Sequence, residues 1–360
     1  MWKKILTCLG LGVCTLMLAI GCTANNPKQA TTSPGPGTLS IYGWTTYIHP
    51  DVFREFEQKN NVKIKYDTFD SNEALYAKLK SGNPGYDLTF PSDYMVKTMI
   101  KENMLEPLNL DKIPNRKNLE TRFQNLAFDP NNKHSIPYLW GTNAIGYNIK
   151  ATGKEIDSWA ELFDPKYKGR IALLDDMRAT FGTALIYLGL DPNTTKKEDL
   201  DRVKELYVNS RENFAAFAPD TGQDLLMQKQ VDIVVEYNGD IIQIMEENPD
   251  IRVALPKEGS LVYIDNMTIP RGAPNREMAE KFINFMLEPE VGAKNANFRK
   301  YPVPNQVAID RGLIEQKNLK NPNIYPPADV AAKLRSVEDL GSNTKLYDDA
   351  WTELKVSLGK

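Results

Sequence analysis

The sequence predicts an α/β fold in which sheets are flanked by helices. Two observations support it: strand-like and helix-like segments alternate from residue 39 onward, and aromatic or acidic residues directly follow several predicted strands. Such alternation is typical of parallel sheets with helices on both faces. About 320 residues follow the N-terminal segments, which is enough for two domains of ordinary size.

In the first half of the chain, three strands alternate with three helices. They are predicted at 39–43 (strand), 50–59 (helix), 62–66 (strand), 71–80 (helix), 86–90 (strand) and 93–102 (helix). Ser71 and Asp93 are the expected N-caps of the second and third helices. Because ligands bind beyond the carboxyl ends of strands in such sheets, residues 44–47 and 91–94 should share one rim.

The second half repeats the alternation after Trp140. The predicted elements are a strand at 143–148, a short helix after residue 158, a strand at 170–174, a helix at 180–190, a strand at 231–236 and a helix at 275–287. Ser158 and Glu161 have the spacing of a capping box. The strand at 170–174 ends at Asp175 and Asp176, of which Asp175 is expected to be a cap or turn residue.

The first residues have the pattern of an export signal. A basic start, Lys3-Lys4, precedes a run of mostly apolar or small residues up to Ile20, which is typical of a cleaved signal peptide and too short for a membrane span. The run ends in a cysteine and is similar to the lipobox of bacterial lipoproteins, although leucine is commoner than Ala19 at its position. We expect residues 1–21 to be removed and Cys22 to carry a lipid anchor; plain cleavage and release is the alternative.

Residues 22–38 have the composition of a flexible tether. The stretch from Thr23 to Thr38 contains three prolines among small and polar residues, and it has no large apolar side chain. Such a segment cannot bury enough surface to offset its ordering entropy. We expect it to link a membrane to the folded body.

Charge and cysteine content exclude several classes of protein. The net charge of the sequence is −3, and it becomes −5 when the two lysines of the signal are removed. A protein this acidic, without a dense basic run, is not a nucleic-acid binder. Two of the three cysteines lie in the signal and the third is Cys22, so the mature body is expected to have neither a disulfide nor a thiol nucleophile.

Three stretches that are far apart in sequence set aromatic rings beside acidic or hydroxyl groups. They are Gly43-Trp44-Thr45-Thr46-Tyr47, Glu236-Tyr237-Asn238-Gly239-Asp240 and Tyr263-Ile264-Asp265. Taken singly, each is more typical of half-buried packing near a strand end. Together they favour a site for an organic cation, because ring faces attract a cation and carboxylates neutralise it.

Six stretches, in a fixed order over more than two hundred residues, match one known family. They are Tyr42–Tyr47, Ser71–Leu79, Tyr86–Tyr94, Phe128–Asn132, Ser135–Gly141 and Pro256–Gly259. On these stretches the chain resembles, over essentially its full mature length, the spermidine/putrescine-binding proteins of bacterial ABC importers. Each stretch is weak by itself, and their common order makes the resemblance specific.

The resemblance implies the two-lobed α/β fold of periplasmic binding proteins, in which each lobe is a mixed or parallel sheet flanked by helices. A hinge between the lobes would close over a linear polyamine before delivery to an ABC transporter permease. It places lobe 1 at residues 39–138 plus 267–320 and lobe 2 at residues 139–266 plus 321–360. Hinge strands would cross near Tyr138–Gly141 and Ile264–Thr268. The implied location is periplasmic or extracytoplasmic, here with a membrane anchor at Cys22.

The resemblance also implies a set of ligand contacts. The family's contact positions match this chain at Trp44, Thr45, Tyr47, Ser92, Tyr94, Asp176, Tyr237, Tyr263 and Asp265. By side-chain type, the rings would enclose the methylene chain and face the ammonium groups. Asp176 and Asp265 would pair with ammonium groups, while Ser92 and Thr45 would supply neutral acceptors. No catalytic residue, metal ligand or cofactor is expected.

The number of carboxylates departs from the spermidine-binding pattern. Spermidine binders carry glutamates where this chain has Thr46 and Ala179, and the putrescine-specific branch carries an aspartate where this chain has Asp240. The expected inventory is therefore Asp176, Asp240 and Asp265. Because putrescine has two charges and spermidine three, the sequence favours putrescine over spermidine.

Other functions stay open at this point. An enzyme is disfavoured, since the chain has no serine-hydrolase, zinc-protease or phosphate-loop motif and its two histidines and lack of a free cysteine leave no nucleophilic triad. The adjacent Asp175 and Asp176 are poorly placed to converge on one glycosidic bond. The remaining alternatives are a binder of iron, of an amino acid or of another small cation, and a sensor or adhesin on the same fold.

Overall fold

Strands and helices alternate along the chain as the sequence predicts. The computed structural model describes residues 37–45 and 47–359. The predicted signal, Cys22, most of the tether and Thr46 lie outside the described residues. None of the helices described in those two ranges is both long and apolar enough to span a membrane.

Ten strands form the sheet within the described ranges. They are β1 Gly37–Trp44, β2 Val62–Phe69, β3 Leu88–Thr89, β4 Ser135–Asn148, β5 Ile171–Leu174, β6 Phe214–Ala218, β7 Ile233–Tyr237, β8 Ile251–Ala254, β9 Ser260–Thr268 and β10 Leu334–Ser336. β6, β8 and β10 were not predicted, and β3 is shorter than its predicted segment.

The helices of the same ranges lie between and around these strands. The α-helices are α1 Pro50–Asn60, α2 Asn72–Lys80, α3 Asp93–Lys101, α4 Ile149–Thr152, α5 Met177–Tyr187, α6 Lys197–Asn209, α7 Gln223–Met227, α8 Asn238–Glu247, α9 Arg276–Met286, α10 Pro289–Arg299, α11 Gln306–Asp310, α12 Gln316–Leu319, α13 Ala328–Ala331 and α14 Thr344–Leu358. Short 3-10 helices occupy Leu110–Lys112, Pro114–Asn118, Thr121–Phe123, Pro130–Asn132, Trp159–Phe163, Pro165–Tyr167, Arg211–Asn213 and Gly341–Asn343.

The sheet is mixed, whereas strand–helix alternation alone favoured a parallel one. The strand order is β2-β1-β3-β9-β4-β7-β5-β6, with β10 beside β9 and β8 beside β4. The outer strands are parallel, as β1 is to β2 and β3, and β5 is to β6 and β7. The central pairs β3–β9, β4–β9 and β4–β7 are antiparallel.

Two long strands therefore link the two parallel groups. β4 pairs with β9 from Ser135 to Thr142 and with β7 and β8 from Asn143 to Asn148. Its register shifts between Pro137 and Leu139, where proline cannot donate to the ladder. These strands contain the segments predicted as hinge strands, and the lobe boundaries themselves remain a prediction.

Helix caps agree with the sequence in part. Ser71 caps α2 by accepting a hydrogen bond from the amide of Ala74. The expected cap Asp93 is wrong, because α3 is capped at Ser92 and Asp93 is its first helical residue. The Ser92 side chain makes no capping bond, because its hydroxyl donates a hydrogen bond to Asp265.

Two further predictions about local structure need correction. Helix α5 begins at Met177 after the N-cap Asp176, three residues earlier than predicted, while Asp175 lies in the bend after β5, in keeping with the expected turn residue. Ser158 accepts a bond from the amide of Ala160, but Glu161 bonds Tyr167 and Lys154. The second half of the expected capping box is therefore absent at this helix.

Candidate functional site

A cavity lies where the segments that follow β1, β3, β5, β6 and β7 meet the central strand β9. The room for the centres of water-sized molecules is about 50 Å³, several times what one water needs. Every predicted contact residue that the structure describes lines this cavity: Trp44, Thr45, Tyr47, Ser92, Tyr94, Asp176, Tyr237, Asp240, Tyr263 and Asp265. The remaining predicted contact, Thr46, lies outside the described residues.

Asp265 projects from β9 and receives hydrogen bonds from two loops. The Tyr47 hydroxyl donates to Oδ2 at 2.9 Å, and the Ser92 hydroxyl donates to Oδ1 at 2.6 Å. The segments after β1 and β3 thus share one rim, as predicted. Burial raises the pKa of the Asp265 carboxyl to about 7, although both hydroxyl bonds lower it.

Asp176 lies just after β5 and lines the cavity. Its Oδ1 accepts from the amide of Ala179 at 2.7 Å, which is the N-cap bond of α5, and its Oδ2 accepts from the Tyr237 hydroxyl at 3.5 Å. Burial raises the pKa of Asp176. Behind it, burial and the charge of Asp176 raise the pKa of Glu73 to about 7, and the Tyr94 hydroxyl donates to Glu73.

Two more carboxylates line the opposite part of the wall. Asp240, on the first turn of α8, accepts from the Tyr301 hydroxyl at 2.5 Å and from the Gln243 amide at 3.1 Å. Burial raises its pKa to about 6. Asp220, in the segment after β6, accepts from the amide of Thr45 at 3.2 Å, and burial together with the charge of Asp240 raises its pKa to about 7.

Aromatic rings line the same cavity as these carboxylates. Trp44 and Tyr237 meet edge to face with ring centroids 6.2 Å apart, and Tyr237 meets Tyr263 in the same way at 5.1 Å. The Trp44 indole is fixed by donating to the carbonyl of Phe90. The rings offer apolar surface for methylene groups and negative ring faces for cations.

One cation, Arg178, also reaches the cavity wall. Its guanidinium donates to the carbonyl of Glu338 and to the side-chain oxygen of Asn193, both at 2.8 Å. It also lies 5.6 Å from the ring centroid of Tyr94 and 4.9 Å from that of Tyr347. These partners hold Arg178 in place, whereas its buried Nε has no hydrogen-bond partner among the described residues.

The four wall carboxylates have no ion-pair partner among residues 37–45 and 47–359. None of the lysines and arginines there lies within ion-pair distance of Asp176, Asp220, Asp240 or Asp265, and the acids instead accept from amides and hydroxyls. Within the same ranges, these acids also do not form a group that could hold a metal ion. Buried carboxylates of this kind are neutralised either by protonation, which their raised pKa values favour, or by a cation from outside the protein.

Sequence reasoning missed several lining residues. These are Asn72, Leu139, Asn143, Arg178, Asp220, Leu261 and Tyr301. Asp220 had a usable signal, because it closely follows β6, a strand that the sequence analysis overlooked. No sequence signal pointed to Tyr301, because it follows α10 and reaches the cavity only through tertiary packing. Asp175 lies outside the cavity and pairs with Lys355 at 2.7 Å.

Comparisons with known proteins agree with this architecture. Residues 51–323 match the family model of the bacterial extracellular solute-binding proteins. The spermidine/putrescine-binding periplasmic protein of Salmonella typhimurium is 36% identical, over 94% of this chain and 97% of its own. The putrescine-binding periplasmic protein PotF of Escherichia coli is 33% identical, over 88% and 91% respectively.

Solved structures of similar proteins point to the same family. The spermidine/putrescine substrate-binding protein PotD of Streptococcus pneumoniae has a TM-score of 0.75 at 34% identity, covering 89% of this chain and 99% of its own. The TpPotD lipoprotein of Treponema pallidum has a TM-score of 0.78 at 28% identity, covering 88% and 99%. The chain therefore belongs to the bacterial extracellular solute-binding proteins, among the relatives of the spermidine/putrescine-binding periplasmic proteins.

Proposed function

We propose that this solute-binding protein captures a linear polyamine in the cavity, with putrescine favoured over spermidine, and delivers it to an ABC transporter permease. The observation that carries the proposal is a set of buried carboxylates without a cation partner, which line the same cavity as aromatic rings. Ammonium groups would pair with the carboxylates while the rings cover the methylene chain. The names of the Salmonella and Escherichia coli relatives describe binding of the same compounds.

The proposed preference for putrescine depends on which carboxylates the cavity wall carries and which it lacks in comparison with spermidine binders. Ala179 lines the cavity with a methyl group at the position where spermidine binders carry a glutamate. Asp240 lines the same cavity at the position where the putrescine-specific branch carries an aspartate. These two positions favour a shorter dication, whereas the inventory of three carboxylates expected from the sequence is incomplete, because Asp220 adds a fourth to the cavity wall.

The arginine in the cavity wall favours an amino acid as the alternative ligand. Arg178 could in principle hold a ligand carboxylate. Its guanidinium is, however, already bonded to Glu338 and Asn193, and the wall carboxylates would repel a ligand carboxylate. A polyamine is therefore the better match to the charges of the wall.

Closure and location are part of the proposal. The cavity residues come from both predicted lobes, so a ligand that touches both walls would stabilise a closed state, and X-ray scattering should give a smaller radius of gyration with ligand. Relatives are named as periplasmic and as a lipoprotein, which supports an extracytoplasmic protein anchored by lipid at Cys22. Loss of lipid labelling in Cys22→Ala tests the anchor.

Calorimetric titration of the ligand-free protein tests the ligand class. The ligands are putrescine, cadaverine, spermidine and spermine, with an uncharged diol of the same length as putrescine for comparison. We expect binding of the amines, none of the diol, and putrescine affinity at least equal to that of spermidine. Absence of heat with all four amines would refute polyamine capture, and a tenfold preference for spermidine would refute only the putrescine preference.

A further inference from the structure

We infer that Asp220 is a ligand-contacting residue which, together with Asp240, forms the subsite for one terminal ammonium group of the ligand. This inference rests on the proposed function and deepens it, because it assigns one end of the ligand to named side chains. Asp220 does not belong to the contact set that the sequence resemblance implies.

The position of Asp220 fits this role. It lies two residues beyond the end of β6, it is 5% exposed, and it lines the same wall as Asp240. Its carboxylate accepts a bond from the amide of Thr45, a residue of the segment after β1. Asp220 therefore connects two segments on different sides of the cavity while its charge remains without a cation.

The neighbours of Asp220 increase its need for a cation. Burial and the charges of Asp240 and Asp70 raise the pKa of Asp220, while burial and the charges of Asp240 and Asp220 raise the pKa of the fully buried Glu236. Glu236 accepts only from the backbone amides of Gly222 and Tyr237. Arg299 is the cation whose charge acts on Asp240, and its guanidinium donates to the Gln243 side chain rather than to a carboxylate.

A primary ammonium group suits this end of the cavity. It has three donors, which can be shared between the Asp220 and Asp240 carboxylates. Asp265 is held by a separate set of donors, the hydroxyls of Tyr47 and Ser92, and it is available for the second ammonium. The edge-to-face rings of Trp44 and Tyr237 would flank the methylene chain.

The substitution Asp220→Asn tests the inference, with Asp175→Asn as the matched control. Both replace a carboxylate by an amide, but Asp175 lies outside the cavity and pairs with Lys355. We expect Asp220→Asn to weaken putrescine binding at least tenfold and binding of the monoamine 1-butylamine less than threefold, because the monoamine can place its one charge at Asp265. Asp175→Asn should leave both affinities within twofold of the parent.

Proton release gives a second readout that a purely structural role would not change. Titration of putrescine at pH 7 in buffers of different ionisation enthalpy measures the protons released on binding, and fewer should be released by Asp220→Asn because a group with a pKa of about 7 has been removed. Asp220→Ser should behave in the same way if the amide variant does not fold. If the parent binds putrescine and either Asp220 variant binds it with an affinity within threefold of the parent, this inference is wrong. If the parent binds no polyamine, the proposed function is refuted instead.

Discussion

At the scale of single residues, Asp265 is a buried carboxylate whose hydrogen-bond donors suit the proposed cation site. Two neutral hydroxyls, from Tyr47 and Ser92, fix its oxygens in place. They cannot neutralise its charge, and burial keeps its pKa at about 7. An arriving ammonium would find an acceptor already oriented, so little ordering cost remains at the moment of binding.

We therefore expect Asp265→Asn to weaken binding of putrescine strongly. An ammonium left buried without its anionic partner costs about 3–5 kcal/mol by analogy with broken buried ion pairs, which corresponds to about two to three and a half orders of magnitude in Kd. The matched control is Asp157→Asn, which removes an exposed carboxylate paired with Lys257. Calorimetric binding within threefold of the parent would show that Asp265 is not the anchor.

Adding carboxylates should shift the choice of ligand. The double substitution Thr46→Glu with Ala179→Glu ought to raise spermidine affinity relative to putrescine, since each charge-assisted contact is worth about 1.5–3 kcal/mol. Asp240→Asn should act the other way and reduce putrescine affinity more than spermidine affinity. The ratio of the two dissociation constants is the quantity to measure. An unchanged ratio in both variants would mean that the carboxylate number does not set the preference.

At the scale of elements, the start of α8 places an acid and a ring together. The helix begins at Asn238, one residue after β7 ends, so Asp240 lies on its first turn. Tyr301 packs its ring against the α8 backbone at Gly239, where any Cβ would overlap the ring. The same tyrosine donates to Asp240, so the missing side chain at Gly239 allows the hydrogen bond that orients this carboxylate.

The substitution Gly239→Ala should displace the Tyr301 ring and release Asp240. We expect putrescine affinity to fall about tenfold, in line with a lost hydrogen bond to a charged group of about 1.5–3 kcal/mol. Gly292→Ala in α10 is the control, because the added Cβ would there approach only the Asn305 side chain and alanine favours a helix. Loss of affinity in both variants, measured by calorimetry, would indicate a general packing defect.

At the scale of the whole molecule, the buried acids couple ligand binding to pH. The folded pKa is about 7 for Asp220 and Asp265 and about 6 for Asp240, all above the ordinary value near 4. A group whose pKa is raised by folding stabilises the protein fully below its unfolded pKa. That contribution is lost as the pH rises through the folded pKa.

Ligand-free stability and ligand affinity should therefore change in opposite directions. Between pH 5 and pH 8 these acids lose their protons, so their contribution to the stability of the ligand-free protein decreases while putrescine binds more tightly. Thermal unfolding with and without saturating putrescine measures both, and the rise in Tm caused by ligand should be larger at pH 8. The variant Asp220→Asn with Asp265→Asn should flatten this dependence; an equal ligand-induced rise at both pH values would contradict it.

The sequence by itself determined much of the local structure and the family. Periodic apolar residues placed β1, β2, α1, α2 and α9 within a few residues of their observed bounds, because these patterns depend on neighbours along the chain. Of the strands that were not predicted, β10 has only three residues, whereas β6 and β8 are as long as the predicted strands β7 and β5, so length does not explain why they were missed. The start of β4 was missed because Pro137 is atypical of a paired strand.

Only the tertiary structure decided the composition of the cavity wall and the true role of several caps. Ser92 is the cap position of α3, but its hydroxyl bonds Asp265, which is 173 residues away in sequence, and makes no capping bond. No local sequence pattern could reveal this. Asp220 bonds Thr45, which is 175 residues away, and Tyr301 bonds Asp240, which is 61 residues away, so both join the wall through non-local contacts. Burial and the proximity of like charges, which raise the pKa values of the wall acids, exist only once the chain has folded.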